Sequence, residues 1–273
     1  MTRVPDIFRA SRRALLYGYK ETHALDMTLI FELYKGTPRQ GPGNAVSTRR
    51  AFAMIPRLPE RPRTLDVGCG SGAQTRDLAR LTGGPVVAVD IHLPFLERLK
   101  SSITKPDGRP GRVHPVAASM VALPFKDGAF DLVWSEGAIY IMGFAEGLRS
   151  WRRLLRPGGY LVVSEATWLR GDPPAELRRY WAAGYPAMTM VEADLSAIRA
   201  EGYEPLGHFA LPESAWLEDY YGPLEKRLAE FRAANEGHAE AQALVAQTEQ
   251  EIALYRRFSA WFGYVFYAMR KGS

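Results

Sequence analysis

Three glycines at alternate positions, directly after a short apolar run, constrain the fold of this chain more than any other feature. The run Thr64–Val67 predicts a short buried strand, and the chain continues as G-C-G-S-G through Gly68, Gly70 and Gly72. Because glycine has no Cβ, such a turn lets a ligand lie directly against backbone N–H groups near a helix N-terminus. The pattern therefore predicts a nucleotide-binding turn between a strand and a helix.

The residues after the turn extend this pattern. The segment Ala73–Leu81 has helical composition, and Val86–Asp90 predicts a second buried strand that ends in an acid. Asp90 follows the glycines by about twenty residues, the spacing at which a carboxylate accepts hydrogen bonds from ribose hydroxyls. Each such bond contributes about 1.5–3 kcal/mol. We expect Asp90 to hold a nucleoside.

The arrangement of strand, glycine turn, helix, strand and acid also occurs in dinucleotide-binding enzymes. Gly68, Gly70 and Ala73 satisfy the dinucleotide pattern G-x-G-x-x-G/A, which keeps an NAD-dependent oxidoreductase open. Against it stand Asp66, within the strand, and a third glycine at Gly72 rather than two positions later.

Further strands and helices alternate along the middle of the chain. An apolar helical face recurs at Phe144, Leu148, Trp151 and Leu155, and R-P-G-G at 156–159 predicts the end of that helix. Three more strands are predicted at Val113–Ala117, Phe130–Trp134 and Tyr160–Ser164. This rhythm predicts an α/β fold with a parallel sheet covered on both sides.

The two ends of the chain depart from simple alternation. Residues 1–60 have broken helical patterns around a loop, Gly36–Gly43, and we expect them to form an N-terminal helical cap within the same domain. Residues 61–273 are expected to form the core, with a helical insertion at about 212–258 before a last strand, Trp261–Met269.

Composition narrows the class of protein. The one cysteine, Cys69, lies in the glycine turn, so intrachain disulfides and a cysteine-based zinc site are excluded. We expect no metal, no membrane span and a cytoplasmic location. Residues 1–63 contain 12 Lys/Arg and 5 Asp/Glu, a net charge of +7, which leaves 23 and 25, a net −2, for the rest. The basic segment indicates either an anionic substrate or nucleic acid, or a solvated helical extension.

The motifs in their order resemble the class I S-adenosylmethionine-dependent methyltransferases, whose first motif is an acid followed by G-x-G-x-G. F-D-L-V at 130–133, R-P-G-G and L-V-V-S-E at 161–165 also match that family. A narrower likeness is to a bacterial and archaeal group of small-molecule-type methyltransferases whose acceptors are mostly unassigned. It rests on R-Q-G-P-G at 39–43, W-S-E-G-A-I-Y at 134–140, S-E-A-T-W at 164–168 and G-Y-V-F-Y at 263–267.

The resemblance implies a doubly wound, mostly parallel, Rossmann-like sheet with an antiparallel last strand, and S-adenosyl-L-methionine as the cofactor. The glycine turn would face the methionine part of the cofactor, Asp90 would bind its ribose and Ile91 would pack on adenine. Ser119 stands where many members have an aspartate that accepts a bond from the adenine amino group, and its hydroxyl can accept that bond more weakly. The implied cofactor residues are Asp66, Gly68, Gly70, Gly72, Gln74, Asp90, Ile91, Ser119, Met120 and Ser135.

Three residues are candidates for catalysis. Glu136 follows the fourth strand, where it can be a general base or can bind the cofactor's ammonium group. Tyr140 lies four residues later and would share a cleft with Glu136 if a helix began there, or it is an ordinary core aromatic. His23 can act as a base, although a lone histidine on an apolar helix face is more often structural.

The predicted reaction is methyl transfer to a small-molecule acceptor by in-line displacement at the sulfonium methyl. The Tyr and Trp residues of the covering segments favour an uncharged or aromatic acceptor. RNA or protein methylation, a non-catalytic S-adenosylmethionine-binding protein and an NAD oxidoreductase stay open as alternatives. The sequence predicts neither the acceptor nor the oligomeric state.

Overall fold

A computed structural model describes residues 27–103 and 112–272. Eight strands form one sheet within these residues. They are β1 (Thr64–Val67), β2 (Val86–Asp90), β3 (Val113–Ala117), β4 (Phe130–Ser135), β5 (Leu155–Trp168), β6 (Thr189–Met190), β7 (Tyr203–Ala210) and β8 (Phe262–Lys271). The helices are α1 (Met27–Leu33), α2 (Ala45–Ala53), α3 (Ala73–Thr82), α4 (Leu93–Ile103), α5 (Phe144–Arg152), α6 (Ala175–Gly184), α7 (Val191–Ala200), α8 (Glu213–Trp216), α9 (Gly222–Ala234) and α10 (Ala239–Phe258).

The strand order places the site at one edge of the sheet. The order is β3-β2-β1-β4-β5-β8-β7, with β6 paired to the end of β5. Strands β1 to β5 are mutually parallel, and β8 runs antiparallel to both β5 and β7. The predicted doubly wound, mostly parallel sheet with an antiparallel last strand is confirmed. The winding direction reverses between β1 and β4, and ligands of such sheets bind outside the carboxyl ends of the strands at this point.

Apolar side chains cover both faces of the sheet. Strand β4 is buried at every position. Its alternate residues enter opposite layers, with Leu132 and Trp134 in one apolar cluster and Val133 in the other. Because a strand buried on both faces is held from both sides, β4 is a rigid support for the polar residues that follow it.

The helix that contains Trp151 is shorter than its apolar pattern predicts. Helix α5 ends at Arg152, and Leu155 already belongs to β5. The R-P-G-G segment therefore lies inside β5, where the pairing with β4 shifts register between Phe130 and Leu132 and Gly158 has a φ of +69°. A β-bulge at this glycine explains why a turn signal occurs within a strand.

The early and late segments of the chain pack against each other. Arg227 of α9 donates to the backbone oxygens of Glu32 and Leu33, at 2.9 and 3.2 Å. The hydroxyls of Tyr34 and Tyr220 lie 2.7 Å apart. Tyr220 belongs to a π-helical turn, Leu217–Tyr221, between α8 and α9. The division into a cap over 1–60 and a core over 61–273 stays a prediction.

In the described residues, no helix is both long and apolar enough for a membrane span. His23 and the predicted helical segment before residue 27 lie outside the described residues.

Candidate functional site

A cavity of about 1140 Å³ opens at the carboxyl ends of β1 and β4. One part of its wall comes from the glycine turn and the residues after β2 and β3. Another part comes from α6, α10, β8 and the π-helical turn. Predicted site residues in the wall are Gly68, Gly70, Gln74, Asp90, Ile91, Ser119, Met120, Glu136 and Tyr140.

The glycine turn has the backbone that its sequence predicts. Gly68, Gly70 and Gly72 have φ angles of +71°, +53° and +82°, a region in which residues with a Cβ are strained. A Cβ on Gly70 would collide with the Gln40 amide, and one on Gly72 would collide with Leu99 in the core. Gly72 therefore serves the packing of the turn, and it does not line the cavity.

Asp90 is partly exposed to the cavity and is held by the backbone. Its two carboxylate oxygens accept hydrogen bonds from the N–H groups of Gly70 and His92, at 2.9 and 2.8 Å. Burial raises the pKa of this carboxyl, and these N–H groups oppose the rise. Each oxygen retains lone-pair capacity for a hydroxyl donor, so the carboxylate can bind a diol.

Asp66 is fully buried behind the turn. It accepts hydrogen bonds from the Thr75 hydroxyl at 2.6 Å and from Gln74 Nε2 at 3.3 Å. Burial raises the pKa of Asp66 to about 7, and the charge of Glu136 contributes in the same direction. Asp66 does not line the cavity. It instead orients Gln74, which does.

Aromatic rings stand beside the residues that follow β2. The His92 ring stacks on Phe31 with centroids 3.8 Å apart, and Phe95 meets His92 edge-on at 4.5 Å. Ile91 lies beside them in the cavity wall, and burial lowers the pKa of His92. Sequence reasoning missed Phe31, whose only signal was the aromatic pattern before residue 34.

The other side of this region contains Ser119 and Met120. Both line the cavity, and Trp151 Nε1 donates to the backbone oxygen of Met120 at 3.2 Å. The indole of α5 thus fixes the backbone that the resemblance assigns to adenine.

The loop Gly36–Gly43 lies directly over the glycine turn. Gln40 Oε1 accepts the N–H of Ser71 at 2.8 Å, and Gln40 Nε2 donates to the Thr37 carbonyl at 3.3 Å. Arg39 reaches Glu136. The R-Q-G-P-G motif pointed to this loop, but the sequence alone assigned no role to either Arg39 or Gln40.

Glu136 forms the most strongly bonded polar contact of the site. Its Oε2 accepts from Arg39 Nη2 at 2.5 Å, and the two side chains are 2% and 9% exposed, respectively. Its Oε1 accepts from the Thr48 hydroxyl at 2.8 Å and from Trp134 Nε1 at 3.0 Å. Three donors from three segments therefore hold this carboxylate in place.

The inner end of the cavity is rich in tyrosine. We name it the tyrosine chamber, and its wall contains Tyr34, Tyr140, Tyr185, Tyr220 and Tyr264. The rings of Tyr140 and Tyr185 meet edge-on at 6.0 Å, and Trp216 meets Tyr264 in the same way at 5.2 Å.

Tyr140 lines this chamber, but the local structure that positions it is not the helix that its four-residue spacing from Glu136 suggested. No helix begins at Glu136, because Gly137 has a φ of +61° and only a short 3-10 helix, Ile139–Ile141, follows. That geometric premise was wrong, although both side chains line the cavity.

Two carboxyl groups accompany the tyrosines. Glu251 of α10 lines the chamber. Glu165 of β5 is 2% exposed next to it, and burial raises its pKa to about 8 while a hydrogen bond from Tyr185 partly opposes the rise. Sequence reasoning missed Glu251, because nothing in a long charged helix marks one glutamate as inward-facing.

Ser135 is fully buried in β4, outside the cavity wall. Its hydroxyl has no hydrogen-bond partner among the described residues. The cofactor and catalytic roles predicted for the individual residues stay predictions.

Residues 65–163 match a family model described as a methyltransferase domain. A malonyl-[acyl-carrier protein] O-methyltransferase of Pseudescherichia vulneris is 36% identical over 49% of this chain and 50% of its own length. The 27-O-demethylrifamycin SV methyltransferase of Amycolatopsis mediterranei is 29% identical over 82% of both chains.

Among solved structures, an S-adenosylmethionine-dependent methyltransferase from Geobacter sulfurreducens, crystallised with S-adenosyl-L-homocysteine, superimposes with a TM-score of 0.74. It is 21% identical, and the match covers 90% of this chain and 98% of that one. At this identity the match shows a shared fold. The chain spans about half the length of the malonyl-carrier-protein relatives that it matches.

Proposed function

We propose that this chain, whose residues 65–163 form a methyltransferase domain of the class I fold, transfers a methyl group from S-adenosyl-L-methionine to a small-molecule acceptor. The predicted resemblance to class I methyltransferases is confirmed for the domain and the fold. The activity of the whole chain, its cofactor, its acceptor and a cytoplasmic location are proposals.

One observation carries the proposal. The cavity that begins at the glycine turn and Asp90 continues without a break into the tyrosine chamber. Its volume of about 1140 Å³ exceeds the 300–1,000 Å³ of most single-ligand pockets, so it has room for a donor and an acceptor together. Joining both reactants in one enclosed space is the main contribution that a protein makes to this kind of group transfer.

The residues at the turn fit an adenosyl cofactor. Gly68 and Gly70 present bare backbone to the cavity, and Asp90 presents a carboxylate with free lone pairs. When bound, S-adenosylmethionine supplies an electrophilic methyl group on a sulfonium. We assign Asp90 to the ribose hydroxyls, Ile91 to one face of adenine, and Ser119 and Met120 to its edge.

Glu136 is better placed to position the loop than to accept a proton. Proton transfer to its Oε2 would break the buried ion pair with Arg39, and its Oε1 already accepts from Thr48 and Trp134. A base is needed only when the acceptor must lose a proton on attack. We therefore propose that Glu136 fixes Arg39, and through it the loop Gly36–Gly43, over the cofactor.

Tyr140 is assigned to acceptor binding. Burial raises the pKa of its phenol to about 12, so the hydroxyl stays protonated at neutral pH and is a poor base. Its ring is available to pack against an acceptor in the chamber.

A small acceptor suits the enclosed chamber better than RNA does. The relative from Amycolatopsis mediterranei, which aligns along most of this chain, is named for methylation of 27-O-demethylrifamycin SV. Nucleic-acid binding through phosphate contacts weakens steeply with salt, so salt-sensitive retention on RNA would favour that alternative.

Calorimetric titration with S-adenosylmethionine, S-adenosylhomocysteine and NAD tests the proposal. We expect micromolar binding of both adenosyl compounds and none of NAD. Asp90→Ala should weaken binding at least tenfold, because it removes a charged acceptor of about 1.5–3 kcal/mol per bond. Asp127→Ala is the matched control, since Asp127 is exposed and its ion pair in the described part of the chain is with the exposed Arg153.

Absence of adenosyl binding, or equal weakening by the two variants, would contradict the cofactor assignment. Adenosyl binding without labelled-methyl transfer to any fraction of a small-molecule extract would instead favour a non-catalytic cofactor-binding protein.

A further inference from the structure

Glu251 is a carboxyl group in the cavity wall that lacks a cationic partner among the described residues. The Tyr221 hydroxyl donates to its Oε1 at 2.9 Å. Burial raises the pKa of Glu251, and the bond from Tyr221 offsets the rise in part. A buried carboxylate without a counter-ion is costly, and a cation bound next to it would remove that cost.

The rings of the tyrosine chamber line the same cavity as this carboxyl. The charge of Glu251 raises the pKa of Tyr34, Tyr140, Tyr220 and Tyr264, so all four phenols lie within its electrostatic range. Tyrosine faces attract cations through the ring quadrupole, by up to about 2 kcal/mol when the cation is desolvated. The aromatic rings and the carboxyl therefore favour the same sign of charge.

The charged side chains of the whole cavity wall also favour a cationic ligand. Of the described side chains in its wall, Arg39 is the only Lys or Arg, whereas Asp90, Glu136, Glu146 and Glu251 are acidic. The Arg39 side chain is already paired with the Glu136 carboxylate, which offsets its charge. Burial raises the pKa of both Tyr140 and Tyr264, and the charge of a second buried carboxyl, Glu165, adds to the rise. Among the described residues of the wall, an anionic acceptor would meet no cation that lacks a carboxylate partner.

We propose that the acceptor carries a basic nitrogen, which binds as an ammonium group against the Glu251 carboxylate and the faces of the surrounding tyrosines. This inference rests on the proposed methyl transfer and gives its acceptor a chemical class. Glu251 is a binding and specificity residue in this arrangement. The sequence favoured an uncharged or aromatic acceptor, and this proposal narrows that class to an acceptor with a positive charge, because Glu251 lines the same cavity as the tyrosines.

Three probes of one shape and different charge test the proposal. They are 2-phenylethylamine, which is cationic at pH 7.5, the neutral 2-phenylethanol and the anionic 3-phenylpropanoate. Dissociation constants are measured by calorimetry or ligand-observed NMR on the full chain saturated with S-adenosylhomocysteine. We expect the amine to bind at least tenfold more tightly than the alcohol, and the anion to bind most weakly.

Glu251→Gln keeps the shape of the side chain and an oxygen that can accept the Tyr221 bond. It should abolish the preference for the amine over the alcohol. The matched control is Glu249→Gln on the same helix, because Glu249 is half exposed and pairs with Arg232 on the protein surface. The control should retain the full preference, and thermal melting of both variants checks that the helix is intact.

If Glu251→Gln fails to fold, Tyr140→Leu tests the ring contribution, and it should weaken amine binding more than alcohol binding. Equal binding of amine and alcohol to the unaltered protein would overturn the proposal, as would an undiminished preference in Glu251→Gln or no binding of any probe. Each of these results is read on protein that has already bound S-adenosylhomocysteine. A failure of the inference is thereby distinguished from a failure of the cofactor assignment.

Discussion

The two halves of the cavity are built in different ways. The cofactor half consists of the glycine turn, Asp90 and residues 118–120, and its polar contacts are mostly to backbone N–H groups. The acceptor half consists of the tyrosine chamber and Glu251, whose contacts are between side chains from segments far apart in sequence. Tyr34 and Tyr220, for example, bond to each other across 186 positions.

This difference separates what a short motif encodes from what the tertiary structure assembles. A binding site made of backbone groups needs only a glycine turn directly after a buried strand. A few consecutive residues therefore suffice to predict it. A side-chain site needs the packing of several helices before any of its members meet. The predictions below test how far the two halves are independent.

The buried ion pair between Arg39 and Glu136 holds the loop Gly36–Gly43 to the residue that follows β4, and breaking it should have the largest effect. Arg39→Met leaves the Glu136 charge buried without its partner, which should lower the free energy of unfolding by about 3–5 kcal/mol. Urea unfolding measures the loss. Arg232→Met removes an exposed pair and should cost no more than about 1 kcal/mol. Equal losses in the two variants would contradict the burial of the Arg39–Glu136 pair.

Each half contains a carboxyl group whose pKa is raised. The effects of these two groups on stability occur in different pH ranges and can be measured separately. The pKa of Glu165 rises from 4.5 to about 8 and that of Asp66 from 3.8 to about 7. In both cases the folded protein binds the proton more tightly than the unfolded chain does. The contribution of these two groups to stability is therefore greatest at low pH and falls as the pH rises towards the folded-state pKa, by up to about 1.4 kcal/mol per pH unit for each group.

Between pH 7 and 8 the decline should come mainly from Glu165. Glu165→Gln should flatten the stability profile there, and Asp66→Asn should act below pH 7. Glu204→Gln, at an exposed position, should leave the profile unchanged. Urea midpoints from pH 5.5 to 8.5 measure all three. A decline above pH 7 that survives in Glu165→Gln would contradict the assignment.

Gly70→Ala should weaken the cofactor half alone. Its φ of +53° costs a residue with a Cβ about 1–2 kcal/mol, and Gln40 must move away. The strain itself lowers stability, whereas moving Gln40 breaks its bond to the Ser71 N–H in the glycine turn. We expect S-adenosylhomocysteine to bind about 2- to 12-fold more weakly by calorimetry, which corresponds to one lost hydrogen bond of about 0.5–1.5 kcal/mol. Gly171→Ala, in open space, is the control. If Gly70→Ala spares the cofactor and instead weakens the amine probe, the two halves are not separable as described.

Tyr140→Phe should have the smallest effect. The ring remains and only a hydroxyl with a pKa of about 12 is lost, so affinity for S-adenosylhomocysteine and for 2-phenylethylamine should change less than about threefold. A loss above tenfold for the amine would mean that the hydroxyl, rather than the ring face, contacts the ligand.

Sequence reasoning was most successful where structure is local. Strands β1, β2 and β3 occur at their predicted residues, because each is a short segment rich in β-branched and apolar residues. It was wrong about the R-P-G-G segment, since a bulge inside a strand and the end of a helix share the same glycine signal.

The acceptor half shows where the prediction stops. Tyr140 was named a candidate, but Tyr220 and Glu251 were not assigned to the site. Neither were Arg39 and Gln40 of the loop over the glycine turn. Their positions depend on how the loop Gly36–Gly43 and helices α9 and α10 pack over the sheet. No periodicity within a single segment carries that information.

The π-helical turn before α9 bears on how such a protein can change its preferred substrate. An extra residue in one helical turn places two neighbours, Tyr220 and Tyr221, in the interior, where one meets Tyr34 and the other meets Glu251. Removing one residue would restore ordinary winding and rotate one ring away by about 100°. Deletion of a single codon at this turn would thus change the shape of the proposed acceptor pocket and leave the glycine turn intact. A protein lineage could therefore change its acceptor and keep its cofactor.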